Sequence, residues 1–545
     1  MKAAFPLVNL VLGVSLGCAC DDAPSAGSPV PRDVAVPEIT SATPMPSGSQ
    51  PAASPGNVDA VQGLPPVTLD GVNHPFAVSL VAAGRPRVYA RAMRVWVRER
   101  PDASARRLGY LRAGASSPTE PEPVGRSGCA GGWYPVEPRG YVCVGTKATL
   151  DASDPVVRAT REYPPDSTWK LPYVYGTVRN PGPIYTRLPS AEEVRKEEPG
   201  HDARMERWLR ARGEIGASYA QEVWVGGTGS LISPEIAWRE GRSDPVPWFL
   251  QAGRTLPRPA LRTQPEALTL GTMKPRAGYA FLHTFLHGGR RYGVTTDMTL
   301  MPTDRLRPIR GSGFHGFVIG KDVEFPFAII RRADARFFIH QRTTNRLIDA
   351  GAAPHRQPIP LTGKQQFFDG RLHYETKERQ WVSDLHASRI EPAKRMPAWG
   401  TRGEKWIDVN LSKQTLMLYE GEEPVYVTLI SSGEAGLEDP EHTTATKRGI
   451  FRIHTKHVTA TMSSDEVGEE FELRDVPYVQ YFDKEGYALH GAYWHDRFGT
   501  PKSHGCLNLS PEDARRVFYF TDPAVPVGWH GALLPLKGTV IFIHP

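Results

Sequence analysis

The clearest alternation of apolar and polar positions lies in the last quarter of the chain. Trp406-Ile407-Asp408-Val409-Asn410-Leu411 alternates, and Gln414-Thr415-Leu416-Met417-Leu418-Tyr419 follows at once. Glu420-Gly421 then turns the chain into Val425-Tyr426-Val427-Thr428-Leu429-Ile430. Period-two runs of this length predict half-buried strands joined as hairpins. Further strands are expected at Gly449-Ile450-Phe451-Arg452-Ile453, Tyr478 to Phe482 and Tyr487 to His490. Ser510-Pro511-Glu512-Asp513 predicts a helix start, with Ser510 as the cap and proline at the first helical position.

Upstream the pattern is weaker. Val88-Tyr89-Ala90, Val95-Trp96-Val97-Arg98, Gly132 to Val136 and Gly140 to Val144 predict short strands of a small β module over 85–150. The region 151–400 gives one helical candidate, Arg195 to Arg212, with Met205, Trp208 and Leu209 on one face and many charges on the rest. Two segments of that region echo each other. Phe285 to Ile309 carries Gly289-Arg290, Tyr292, Asp304 and Ile309. Phe367 to Ile390 carries Gly370-Arg371, Tyr374, Asp384 and Ile390. The spacing suggests a repeated β-rich unit.

Composition agrees with a β-rich chain of about three to four domains. Of 545 residues, 52 are Gly and 51 Pro, which favours turns over long helices. The formal charge of +6 comes without a basic patch interleaved with aromatics, so no nucleic-acid partner is expected. At the N-terminus Lys2 precedes the apolar run Phe5 to Leu16, too short to span a membrane. Ser15-Leu16-Gly17-Cys18 resembles a bacterial lipobox, with Ser15 where leucine is usual. This implies a signal peptide over 1–17 and lipidation at Cys18. The alternative is a secretory signal cut near Ala19. Residues 18–70, rich in Ala, Pro, Ser and Gly, are expected to form a disordered tether.

Five cysteines then sort by context. Cys18 belongs to the lipobox and Cys20 has no assigned role. Cys129 and Cys143 flank a hairpin-like stretch and are expected to form a disulfide in an oxidising compartment. Cys506 is left as the unpaired thiol of an exported chain. It sits in Ser503-His504-Gly505-Cys506-Leu507-Asn508, with His490-Gly491 upstream. A nucleophilic cysteine requires a base and oxyanion donors. His504, two residues before Cys506, would share its face in an extended strand. His490 ends a predicted strand and could return beside the thiol, so the residues alone leave two candidate bases. Gly505 and Cys506 amides could form an oxyanion hole, and Asn508 could bond substrate. A zinc site built from His490, His495, His504 and Cys506 is a competing reading, but the spacing fits no paired-ligand pattern. His283, His287, His315, His340 and His355 are scattered and read as ordinary histidines.

These residues resemble the L,D-transpeptidase (YkuD-type) catalytic domain of bacterial peptidoglycan enzymes. That family has a His-Gly pair followed by Ser/Thr-His-Gly-Cys-x-Asn/Arg, matched by His490-Gly491 and Ser503 to Asn508. Its Thr-Pro-x-Gly-x-Phe strand resembles Thr446-Lys447-Arg448-Gly449-Ile450-Phe451, with Lys447 replacing proline. The module at 85–150 resembles a bacterial SH3-like domain. The resemblance implies a mainly β protein, with an L,D-transpeptidase β-sandwich at 404–545 preceded by SH3-like β modules; 151–400 is read as a β-rich accessory region, with repeated SH3-like units as one form it could take. It implies Cys506 as nucleophile, His490 as general base and the Gly491 carbonyl as orienter. His504 and Gly505 would border the oxyanion, and Ser503, Asn508 and Tyr478 would bind substrate. No metal or organic cofactor is implied. The partners implied are peptidoglycan stem peptides, a membrane reached through the lipid anchor, and an envelope protein as one possible acceptor. The implied reaction releases D-Ala from a tetrapeptide stem and makes a 3→3 cross-link or attaches a protein to the wall. Alternatives are a carboxypeptidase or amidase of the same fold, using water, and a non-catalytic wall-binding lipoprotein.

Overall fold

The computed structural model describes residues 68–69, 72–73, 84–210, 241, 243–259, 267–464, 471–534 and 537–545. The expectations for the signal peptide, Cys18, Cys20 and nearly all of the tether lie outside these residues. The described protein is mainly β.

The N-terminal module is built from seven short strands between Arg87–Ala90 and Ala148–Thr149. Alternation drives the burial: Val88, Ala90, Val95 and Val97 point inwards while their neighbours face out. Cys129 and Cys143 are joined by a disulfide. The module is not separate from the rest. Arg107–Leu111 pairs with Gly531–Leu533, placing Ala532 opposite Gly109. A side chain at Gly109 would meet the Gly531 carbonyl at 2.2 Å and the Trp529 ring at 2.5 Å, so only glycine lets the two domains approach. The module's apolar residues and those of the C-terminal domain form one continuous core.

Between them lie two copies of one unit. In the first, the strands run in the order Thr269–Thr272, Pro183–Tyr185, Leu300–Pro302, Arg290–Thr295, Gly278–His287, Val174–Val178, Leu306–Ile309. In the second the order is Arg346–Ala352, Arg336–Gln341, Trp381–Ser383, Arg371–Thr376, Pro358–Phe368, Phe327–Ile330, Ala387–Ile390. Position by position the chain order and pairings coincide, and the echoing sequence segments occupy equivalent strands. The first copy carries an insertion between its second and third strands. There the single expected helix is two, Ala191–Glu197 and His201–Arg210, because Pro199-Gly200 interrupts the pattern. The charges are also not simply solvated. Glu198 is buried and takes Arg290 at 2.7 Å and Arg305 at 2.6 Å.

The C-terminal domain packs two sheets. One runs Phe317–Val318, Glu423–Leu429, Thr415–Glu420, Lys405–Asn410, Val540–His544, Gly449–Arg452. The hairpin Lys405–Asn410/Thr415–Glu420 is present with Trp406 opposite Tyr419. The second contains the long hairpin Thr455–Ser464/Phe471–Tyr481, then Ala488–Gly491 and Leu507–Leu509. Ile407, Leu418 and Ile541 of one sheet meet Val458, Leu489 and Leu507 of the other. The helix Pro511–Phe520 starts at the Ser510 cap. Its buried Asp513 accepts from Tyr426 Oη and Thr428 Oγ1, both at 2.6 Å, and so ties the helix to the first sheet.

Asp475 joins all three parts. Its carboxylate accepts from Arg112 of the N-terminal module, from Thr296 of the first repeated unit and from Thr459 beside it. Burial alone would raise the Asp475 pKa, but the Arg112 guanidinium outweighs it and holds the carboxyl well below the usual range.

Candidate active site

Cys506 stands immediately before the strand Leu507–Leu509, which runs parallel to Ala488–Gly491. The register sets Leu489 opposite Leu507 and His490 opposite Asn508. Alternation along such a pair turns His490 and Asn508 to one face, the face that Cys506 enters. All three line one cavity of about 590 Å³. Cys506 is the described cysteine outside the disulfide and is buried, with 4% exposure.

The segment Ser503 to Cys506 is a bend rather than the extended strand expected from the sequence. His504 therefore does not share a face with Cys506. It is exposed at the cavity rim, stacked on Phe471, whereas Cys506 points inwards. The bend is held from several sides. Ser503 Oγ donates to the Cys506 carbonyl at 2.5 Å and accepts from the Gly505 amide at 3.1 Å. Thr446 Oγ1 donates to the Gly505 carbonyl at 2.8 Å. Gly505 has φ +118, and a Cβ there would sit 2.8 Å from the Tyr487 ring. Both facts require glycine.

His490 is 2% exposed. Burial pushes its pKa down to about 3; the Gly491 carbonyl pulls the other way, and His495 adds to the lowering. The imidazole is thus neutral at pH 7 and able to accept a proton. The Gly491 carbonyl lies against the ring, although Nδ1 makes no hydrogen bond of good geometry among the described residues. Asn508 Nδ2 lies 2.9 Å from His495 Nε2, so Asn508 fixes His495 at the cavity wall. Met462, Phe471 and Leu473 of the long hairpin supply an apolar wall.

One expected substrate contact is corrected. Tyr478 is fully buried; its hydroxyl donates to the Trp169 carbonyl at 2.8 Å and its ring packs on Phe518, away from the cavity. A left-handed φ of 57° at Tyr478, beside Pro477, turns the side chain out of strand alternation. Ser503 borders the cavity, yet its hydroxyl is used within the bend. Thr446 and Trp494 are not singled out as site residues in the sequence, and His495 only as a ligand in the competing zinc reading. Thr446 was legible as part of the Thr-x-x-Gly-x-Phe strand, and the other two follow His490-Gly491 by only a few positions. Among the described residues no three His, Cys, Asp or Glu side chains converge as a metal site would require.

Comparison with known proteins agrees with this domain. Residues 404–543 match the family model described as the L,D-transpeptidase catalytic domain, YkuD, and this segment is a domain of that class. The match covers the strands of the two sheets apart from Phe317–Val318, together with His490 and Cys506. A Bacillus subtilis protein assigned by name to the L,D-transpeptidases, YciB, is 27% identical over 139 residues, covering 21% of this chain and 59% of the relative. The chain thus spans little more than half of that relative's length. Among solved structures, the catalytic domain of an Enterococcus faecium L,D-transpeptidase is 24% identical, with 26% of this chain and 98% of that one covered and a TM-score of 0.20. An L,D-transpeptidase from Mycobacterium smegmatis is 16% identical, with 44% and 89% covered and a TM-score of 0.20.

Proposed function

We propose that this protein is a cysteine-dependent L,D-transpeptidase that acts on peptidoglycan stem peptides outside the cytoplasm. The carrying observation is a buried thiol outside the disulfide, Cys506, sharing one cavity with the neutral His490. The thiol gives its proton to His490, and the sulfur attacks the carbonyl between the third and fourth residues of a tetrapeptide stem. The oxyanion formed is held by amides of the Ser503 to Cys506 bend, chiefly that of Cys506, since Gly505 donates to Ser503. The tetrahedral adduct collapses, His490 returns the proton to the departing D-Ala amine, and a thioester remains. An amine of a second stem, or of an envelope protein, then attacks the thioester and restores the thiol.

The apolar wall of Met462, Phe471 and Leu473 shields this thioester from water and favours an amine acceptor. A hydrolase that uses water remains the second reading, since the same thioester serves both. The disulfide Cys129–Cys143 and the N-terminal targeting pattern support an exported location. The lipobox-like Ser15 to Cys18 supports a membrane anchor. The module at 85–150 is read as an SH3-like aid to wall binding. Incubation with tetrapeptide-rich muropeptides and mass analysis tests the reaction. Dimers with loss of D-Ala are expected; tripeptide monomers alone would favour hydrolysis.

A further inference from the structure

Each repeated unit places an arginine at the catalytic cavity or at the loop that bounds it. In both, the connection before the long strand, Gly278–His287 in one and Pro358–Phe368 in the other, is a four-residue turn. Ala277 N–H donates to the Lys274 carbonyl at 3.3 Å in the first, and Gln357 N–H to the Pro354 carbonyl at 3.2 Å in the second. The third position of each turn has a left-handed backbone, φ 59° at Arg276 and 61° at Arg356. Turns of this form ordinarily place Gly or Asn there. An arginine at both copies is a strained choice, and such strain collects where a side chain has a task.

The task of Arg356 is visible. It binds the Asp496 carboxylate at 2.8 Å, and its guanidinium lies over Phe314 and Phe498. It thereby pins the loop between His490 and Cys506. Arg276 is the equivalent residue in the other copy. It lines the catalytic cavity itself and has no carboxylate partner among the described residues. Its turn is nevertheless held firmly against the catalytic domain. Gly278 pairs with Leu473, Lys274 meets Glu472 at 3.4 Å, and a side chain at Gly278 would strike the Tyr493 hydroxyl at 2.3 Å. The cavity lining also includes Arg497 and Lys502. Its carboxylate, Asp496, is already taken by Arg356 and Ser312.

We infer that Arg276 is a specificity-determining residue, which receives a free carboxylate of the peptide whose carbonyl Cys506 attacks. The inference rests on the reading of Cys506 as the nucleophile toward stem peptides. It also means that the matched catalytic domain is incomplete without the repeated unit that supplies Arg276. The carboxylate is that of the terminal residue or of a stem side chain, and the test separates the two.

The first measurement uses no peptide. In the full-length protein at low ionic strength, Cys506 is alkylated in parallel with iodoacetate and iodoacetamide, which differ in charge. Arg276→Ala is expected to lower the iodoacetate-to-iodoacetamide rate ratio about threefold, and Arg276→Lys to retain most of it. Arg276→Gly relieves the turn and is expected to behave as Arg276→Ala, which separates the charge effect from misfolding. An unchanged ratio in Arg276→Ala and Arg276→Gly overturns the proposal. The second measurement is binding to the Cys506→Ala full-length chain of a tetrapeptide stem, its terminal amide and its side-chain amide. The amide whose binding no longer responds to Arg276→Ala marks the carboxylate recognised. A lowered alkylation ratio with all three peptides indifferent to Arg276 would leave an anion site at Arg276 but overturn the stem peptide as its occupant.

Discussion

His490 and Asn508 stand opposite each other in a parallel strand pair, and Cys506 enters two residues before Asn508. The pair brings the thiol and the imidazole into one cavity although the chain between them makes a long excursion through Trp494, His495 and Phe498. Replacing His490 by Gln removes the base and keeps a side chain of similar size. Acylation of Cys506 by a tetrapeptide stem is expected to slow by about 100-fold or more. Rapid-quench sampling with mass detection measures it, and a change below about threefold would mean that another group takes the proton.

The depressed pKa of His490 sets a second expectation. Burial holds it at about 3, below the value near 6.5 of an unfolded chain. Above pH 6.5 the ring is neutral in both states and pH has no effect through it. As pH falls from 6.5 towards 3, only the unfolded chain gains this proton, so the native state loses stability. Nitrogen-15 NMR of labelled histidines is expected to show His490 still neutral at pH 5. A midpoint near 6.5 would contradict the burial argument.

Gly505 offers a sharp local test. With φ +118 and the Tyr487 ring 2.8 Å from a would-be Cβ, Gly505→Ala must shift the bend that presents Cys506. The thiol is expected to lose at least about tenfold in acylation rate, since a misplacement of about 1 Å can cost 100-fold. A variant that is folded by circular dichroism yet fully active would show that the bend tolerates movement.

The Arg112–Asp475 pair joins the N-terminal module to the catalytic domain, and both side chains are buried. Arg112→Ala leaves a buried carboxylate and is expected to cost about 3–5 kcal/mol in chemical unfolding. The Asp475 carboxyl is held below its unfolded pKa, so its contribution is present above about pH 4 and is lost as pH falls further. Urea titrations of Arg112→Ala at pH 7 and pH 3 check the sign: the loss should shrink in acid. An equal loss at both pH values would assign the effect to packing.

Much of this was readable in the chain. Alternation from Trp406 to Tyr419 predicts the first hairpin because one face of each strand is buried. Ser510-Pro511 predicts the helix start because capping chemistry is local. The echo of Phe285–Ile309 in Phe367–Ile390 reflects equivalent strands, since the same turn residues recur at the same joints. Other features depend on contacts that no local pattern encodes. Tyr478 lies in a strand-like run, but an irregularity at Pro477-Tyr478 turns it towards Phe518. His504 is two residues from Cys506, yet the bend separates them. Arg276 reaches the cavity from more than two hundred residues away, through pairing of Gly278 with Leu473. The shared edge between Gly109 and Ala532 is equally non-local.

The thioester is the centre of the proposed chemistry. Intact-mass spectrometry of the full-length protein mixed with a tetrapeptide stem should show a mass gain equal to the stem minus the released D-Ala, mapped by digestion to Cys506. Cys506→Ala should show none. Absence of an adduct in the unsubstituted protein under turnover, or the same adduct in Cys506→Ala, would contradict Cys506 as the acyl-accepting nucleophile.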